Sequence, residues 1–212
     1  MSFYLGSMKN LNAVISYADR IYYEMNGTLE DARQACRAED VEFVPIAPRF
    51  SPAGVRSEDR MMINTPGQCD AEVLYGSYHM NMFNSRFDYP MHQVTLSVEL
   101  SKHEIADIAS SYPGRIEVMG FGRTELMCTR DPSLGNGMIE DEKGYRFPTY
   151  RDAGGTARIL NSADLFLLPY LQQMGKMGVD SVGIDLRKRP EALAKIVAKA
   201  YSSNDVSQKE RI

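Results

Sequence analysis

The sequence predicts an α/β fold: an irregular or incomplete TIM-like (β/α) barrel with a small antiparallel β-hairpin insertion. Three observations carry this expectation. Strand-like and helix-like apolar patterns alternate along most of the 212 residues, which is how parallel strands joined by helical crossovers are encoded. Two helix-to-strand passages echo each other, Tyr17-Ala18-Asp19-Arg20-Ile21 and Gly178-Val179-Asp180-Ser181-Val182, as the like units of a barrel would. Several connections, above all the one from Asn84 to Gln93, are too short for a full helix, so some outer helices should be missing or shrunken.

The elements follow in order. Residues 3–5 form a short apolar strand closed by Gly6, and Leu11, Val14 and Ile15 have helical spacing. Residues 18–23 are rich in side chains that suit a pleated surface. Thr28 stands where a helix over 29–38 needs its cap, with Glu30 and Asp31 in the first turn. Residues 41–46 form the next strand, ended by Pro45 and Pro48. Residues 50–70, with Pro52, Gly54, Pro66 and Gly67, read as a loop region around the short apolar piece 61–63. Strands follow at 73–75 and 93–96. Ser101 and Glu104 have the spacing of a capping box for a helix to about Ser111, which Pro113-Gly114 ends. Residues 116–119 form a buried strand that runs into the glycine-broken turn Gly120-Phe121-Gly122. A hairpin spans 138–148 around Gly144, and a second turn at 152–155 leads to 157–160. Ser162 caps a helix to Met177 that Pro169 should kink or split, with Gly178 after it. Residues 179–184 are the last strand, and Pro190 opens a final helix to Tyr201. The expected organisation is one barrel-like domain over 1–201, with the β insertion near 136–160, and a polar tail over 202–212.

Composition narrows the function classes. A formal charge of −4 and a pI near 5.5 give no electrostatic footprint for nucleic acid. No apolar run approaches a membrane span, and no basic-then-apolar leader opens the chain. Cys36, Cys69 and Cys128 are scattered and odd in number, which argues against a disulfide framework and fits a reducing cytoplasm. No metal-ligand spacing occurs among the cysteines or among His79, His92 and His103, so no metal is assigned.

In a barrel the C-terminal strand ends form one rim, where enzymes of this architecture place their chemistry. Here those ends offer Glu24, Arg49, His79, Asn81, Asn84, Glu99, Arg123, Glu125, Asp185 and Arg187. His79 and Asn81 point to the mouth in one reading and are a solvated strand face or turn caps in the other. Arg123 and Glu125 follow a glycine pair, but Glu125 stands where a dinucleotide fingerprint needs its third glycine; a pair that ties down the turn is the simpler role. Cys128 is either a nucleophile served by His79 or His92, or a packed structural thiol. Asp185 and Arg187 either orient an anion or a base, or close the rim as a salt bridge.

Several stretches together resemble the collagenase-like peptidase family, also called peptidase family U-thirty-two. They are Asn81-Met82-Phe83-Asn84, then Val94-Thr95-Leu96-Ser97-Val98-Glu99-Leu100-Ser101 with Glu104-Ile105, then Ile116-Glu117-Val118 with Gly122-Arg123-Thr124-Glu125-Leu126-Met127, and finally 141–147, 161–168 and 178–187. The match runs in order from about residue 70 to 201. The resemblance implies a peptide-bond hydrolase acting on collagen-like or unfolded protein; for such an activity the strand-end reading offers His79, Glu99, Arg123, Glu125 and Asp185 as catalytic candidates. Asn81, Asn84, Arg49 and Arg187 are the candidates for substrate binding. One alternative, favoured by the missing cysteines and the shrunken connections, is a non-catalytic or partner-dependent barrel subunit, completed by a second copy or a second family subunit; the other, implied by the resemblance, is an oxygen-independent hydroxylase of RNA or a quinone that uses an iron–sulfur cluster. The chain departs from the last pattern: Thr129-Arg130-Asp131-Pro132 stands where cluster cysteines belong, which disfavours a cluster and leaves the cofactor unknown. Asp185-Leu186-Arg187 replaces a family Glu-x-Arg, and Phe121 stands where the family often has His or Tyr.

Overall fold

A computed structural model describes residues 1–50, 58–68, 71–86, 89–152 and 154–211. The chain divides into two compact units, Met1–Gly120 with Leu167–Ile212, and Phe121–Phe166.

The first unit is a closed barrel of eight strands: β1 (Ser2–Leu5), β2 (Arg20–Glu24), β3 (Glu42–Ile46), β4 (Arg60–Ile63), β5 (Val73–Gly76), β6 (Gln93–Thr95), β7 (Arg115–Gly122, its last two residues in the second unit) and β13 (Ser181–Asp185). Each strand pairs with its neighbours in sequence, β13 lies between β7 and β1, and β6 pairs with β7 to close the ring. The registers around the wall are parallel. The barrel is complete in its strands and irregular in its helices. Helices α1 (Met8–Val14), α2 (Leu29–Ala38), α3 (Lys102–Ser111), α4 (Leu171–Lys176) and α5 (Glu191–Ser203) flank β1, β2, β6, β7 and β13. Among the described residues between β5 and β6, the 3₁₀ turn Tyr78–Met80 is the only helical element.

Met61, Met80, Met82 and Met91 are buried with Ile63, Val94 and Leu96 in one cluster beside β4 to β6. Met is unbranched and flexible, so it fills irregular space against these strands, and burying each stabilises the fold by about 1.5–3 kcal/mol.

Several sequence expectations need correction. The apolar piece 61–63 is a central strand, β4, not part of a loop; Met61, Met62 and Ile63 are wholly buried. Its proline- and glycine-rich flanks hid it, because a strand buried on both faces lacks polar alternation. The helix expected from Ser162 begins later. Leu165 and Phe166 form β12 (Leu165–Phe166), antiparallel to Phe121 and Gly122, and Pro169 sits at the start of the 3₁₀ turn Leu168–Tyr170 that leads into α4. Proline lacks an N–H that the first turn does not need, so it opens this helix instead of breaking it. Gly178, at φ +92°, then ends α4 with the Val179 N–H on the Met174 carbonyl at 3.2 Å. Thr28 precedes α2 without capping it; its hydroxyl meets Asn26 at 2.7 Å and Tyr23 at 2.8 Å. The Ser101–Glu104 capping box is present.

Pro45 is unusual in a strand with neighbours on both sides. Its flanking Ala47 N–H points to β4, onto the Met62 carbonyl at 2.9 Å. Two residues earlier the donor toward β4 is the one that proline lacks, and Ile46 with Met62 is the single register match of β3 and β4.

The second unit is a four-stranded antiparallel sheet in the order β8 (Glu125–Thr129), β11 (Ala157–Leu160), β10 (Arg146–Arg151), β9 (Gly137–Glu140). The hairpin of β9 and β10 forms as expected, with Gly144 at φ +82° in its turn. The glycine-broken turn expected at Gly120-Phe121-Gly122 is instead the continuation of β7, and β8 follows after two residues.

Candidate functional site

Three charged side chains come together at the C-terminal ends of β13 and β2. Asp185, the last residue of β13 and 7% exposed, holds Arg187 in a fork: the Arg187 backbone N–H and Nε each donate to Oδ1 at 3.0 Å, and Nη2 donates to Oδ2 at 2.6 Å. Such bidentate, charge-assisted pairs are among the strongest and best oriented in proteins. Arg187 Nη1 lies 3.7 Å from Oε1 of Glu24, the last residue of β2. Between them runs β1, whose Tyr4 is the register partner of both Asp185 and Tyr22. Gly6, just after β1, lets Glu24 settle: a Cβ there would collide with its carboxylate. Of the three charged side chains Glu24 is the most open, at 30%.

The barrel interior is filled, and it is polar. Glu117 of β7 is completely buried and accepts hydrogen bonds from Tyr4 (2.5 Å), Ser181 (2.9 Å), Thr95 (3.1 Å) and Gln93 (3.1 Å). Gln93 passes on to Arg20 at 2.8 Å, and Arg20 to Glu42 at 2.6 Å; Tyr75 also donates to Glu42. Burial pulls the Glu42 carboxyl upward, but the Tyr75 hydrogen bond and the Arg20 and Arg60 charges outweigh it and hold it below the usual range. Burial and the Glu117 charge push the Tyr4 phenol well above its ordinary value, so it remains the donor. The axis of the barrel is therefore taken up by its own side chains.

The other expected residues fall as follows. His79 lies in the 3₁₀ turn after β5, its ring 4.1 Å from that of Tyr78, and the strand expected there ends at Gly76. Asn81 closes that turn at φ +52°, the left-handed conformation that asparagine tolerates, so a turn accounts for its presence. Asn84 accepts from the Arg86 N–H at 3.0 Å, and exposed Glu99 donates its N–H to Ser97 Oγ at 3.4 Å just after β6. Arg49 follows β3, with Nη1 3.4 Å from the Asn64 carbonyl. Asn64, buried after β4, braces this part of the rim through Ala47 (2.9 Å), Ser77 (2.9 Å) and Gln68 (2.8 Å).

Arg123 and Glu125 belong to the second unit. Arg123 Nε is 3.8 Å from Asp164, whereas Glu125 is buried against Arg158 of β11 at 2.7 Å. Arg158 also reaches Asp152 at 3.0 Å. Cys128 is half-buried on β8 with Arg158 as its register partner.

The donor set does not fit a thiolate-held cluster. Cys36 is buried in α2, where burial pushes its thiol up to about 12, and Cys69 lies outside the described residues. Asp131 accepts from the Ser133 N–H at 2.9 Å and hydroxyl at 2.7 Å. Among the described residues no three His, Cys, Asp or Glu side chains gather as a metal cage, and no helix is long and apolar enough to cross a membrane.

Two hollows lie at the opposite, N-terminal end of the barrel strands. One of ≈ 210 Å³ is lined mainly by Met174, Val179, Val182 and Tyr201, and one of ≈ 320 Å³ by Leu74, Met91 and His92. Asp180 and Ser181 line the first and Glu72 and His92 the second, but both hollows lie at the end of the strands opposite the rim, and it is at the rim that barrels of this kind carry their chemistry. Sequence reasoning passed over Tyr4, Glu117 and Arg158. The signal for the first two was a period-two polar pattern, Ser2-x-Tyr4, Arg20-x-Tyr22, Gln93-x-Thr95, which marks a polar interior; Arg158 carried no local signal.

Comparison with known proteins settles the family. The family model described as Peptidase family U32 matches residues 73–206, well over half of the chain. The chain belongs to that family. No curated protein sequence matches. Among solved structures, the chain is similar to the spore cortex-lytic enzyme SleL of Bacillus cereus, with 8% identity, a TM-score of 0.44, and coverage of 86% of this chain and 69% of that one. It is similar also to the C-terminal domain of a putative chitinase from Desulfitobacterium hafniense, with 9% identity, a TM-score of 0.48, and coverage of 96% and 99%. Likenesses of this degree say nothing about chemistry. For this U32 member, Asp185, Arg187 and Glu24 form the built part of the rim.

Proposed function

We propose that this chain hydrolyses peptide bonds in unfolded or collagen-like protein, at the mouth of its barrel. Family membership supports the reaction class, and the Asp185–Arg187–Glu24 cluster at adjoining strand ends supports the place. In this proposal Asp185 orients Arg187, whose positive charge stabilises the carbonyl oxygen as it becomes anionic. Glu24, open to solvent, takes a proton from the attacking water and returns it to the amine as the C–N bond breaks. His79 and Glu99 are further catalytic candidates on the loops leaving β5 and β6. Asn81, Asn84 and Arg49 are candidates for holding the substrate backbone. Arg123 and Glu125 serve within the second unit, Glu125 by holding Arg158.

The test is degradation of gelatin and of a denatured protein by the wild type, by Glu24→Gln and by Asp185→Asn, each repeated with a chelator and with a thiol blocker. Cleavage by the wild type that survives both reagents and is lost in the variants is expected. No cleavage under any condition would remove the proposal.

A second reading, a partner-dependent subunit, draws on the second unit. Its sheet exposes Leu126 (53%), Met127 (58%), Met138 (54%) and Tyr145 (56%), large side chains that surfaces seldom leave open in such number. Light scattering that finds a single mass equal to one chain, together with full activity, would count against it.

A further inference from the structure

Arg187 is held from a second direction. The Tyr4 ring lies against its guanidinium, with the central carbon 5.9 Å from the ring centre. Tyr4 and Asp185 are paired across β1 and β13, and the Leu186 N–H donates to the Tyr4 carbonyl at 3.0 Å, so the ring and the fork are stitched into the same piece of wall. The far end of the Tyr4 side chain is fixed from inside the barrel: its hydroxyl donates to Glu117 at 2.5 Å and lies 2.9 Å from the Thr95 hydroxyl. Glu117 is wholly buried, so turning the phenol away would strip a buried carboxylate of a donor, which is costly.

We propose that Tyr4 is a positioning residue for Arg187, and that buried Glu117 is the anchor that sets its place. This deepens the proposed function and rests on Arg187 acting at the mouth. The Asp185 fork fixes the plane of the guanidinium, and the ring closes off tilting about that fork. A cation is drawn to an aromatic face, more so when the pair is shielded from water; Tyr4 is 2% exposed and the Arg187 side chain 19%. The interior network thereby reaches the mouth through one side chain.

The experiment measures how fast the Arg187 Nε–H exchanges with water, by nuclear magnetic resonance on the whole chain labelled with ¹⁵N-arginine. The signal is assigned by its loss in Arg187→Lys. Tyr4→Leu removes ring and hydroxyl, and exchange about tenfold faster is expected, the scale of a shielded cation–π contact. Tyr4→Phe keeps the ring and loses the anchor, and a rise of about threefold is expected. A tyrosine that only filled space would lower the melting temperature and leave the rate alone, so unchanged rates in both variants overturn the proposal. Should Tyr4→Leu fail to fold, Tyr4→Phe decides: a wild-type rate there overturns it. If the wild type cleaves no protein at all, the functional reading falls, while the exchange rates still decide the role of Tyr4.

Discussion

The two units each place an arginine between two carboxylates, and the two arrangements differ in kind. In the second unit Arg158 reaches Glu125 and Asp152 within 3.0 Å, and both Arg158 and Glu125 are nearly closed to solvent. Burial opposes the Arg158 charge, and Tyr150, Glu125 and Asp152 outweigh it. In the barrel Arg187 grips one carboxylate and stands 3.7 Å from the other, which is open. The first is a closed knot between strands of a small sheet. The second is a strand-end arrangement with one acid left able to meet a substrate. The same three residue types thus give a staple in one place and a candidate site in the other, and the difference lies in where the strands end.

Substitutions at four positions would break or sharpen this contrast. The largest effect is expected from Arg158→Met, which leaves Glu125 buried without its cation and should cost about 3–5 kcal/mol in thermal or denaturant unfolding, with activity per folded molecule unchanged. Asp185→Asn should do the reverse: hydrolysis of a denatured protein falls roughly a hundredfold as Arg187 loses its orientation, with little change in melting. Gly6→Ala should press on the Glu24 carboxylate and slow hydrolysis about tenfold, a loss that Gly6→Ser would share. The smallest effect is a matter of pH. Because the Glu42 carboxyl is held below its ordinary value of 4.5, its contribution to stability is present above that pH and fades as the pH falls through the lower value of the folded state. Glu42→Gln should therefore flatten the acid limb of a stability–pH curve measured by denaturant unfolding.

Much of the barrel was legible in the sequence because alternation of strands and helices is a local pattern. Ser101 and Glu104 gave away α3 for the same reason: a cap is satisfied within four residues. β4 was not legible, since Met61, Met62 and Ile63 are buried on both faces and show no period. At the mouth, Asp185 and Arg187 stood out because they follow an apolar strand. The alternating polar pair at 79 and 81 misled, because a 3₁₀ turn and a left-handed cap produce it as readily as a strand. Glu125 drew notice as a loop residue, and its partner Arg158 lies 33 residues away, on a strand that only tertiary pairing brings beside it. Glu117 did not stand out as a buried acid despite its period-two neighbours, because its four donors come from three other strands: Tyr4 from β1, Gln93 and Thr95 from β6, and Ser181 from β13.

Pro45 gives the ring of strands a preferred seam. Of the eight strands of the wall only β3 contains a proline, and its joint with β4 is short of a donor by covalent necessity. A missing tie lowers the cost of opening at that joint, and opening there would widen the mouth beside Arg49 and Asn64 while leaving Asp185 and Arg187 in place. A proline in the wrong-looking position would then let one side of the opening breathe and keep the other rigid.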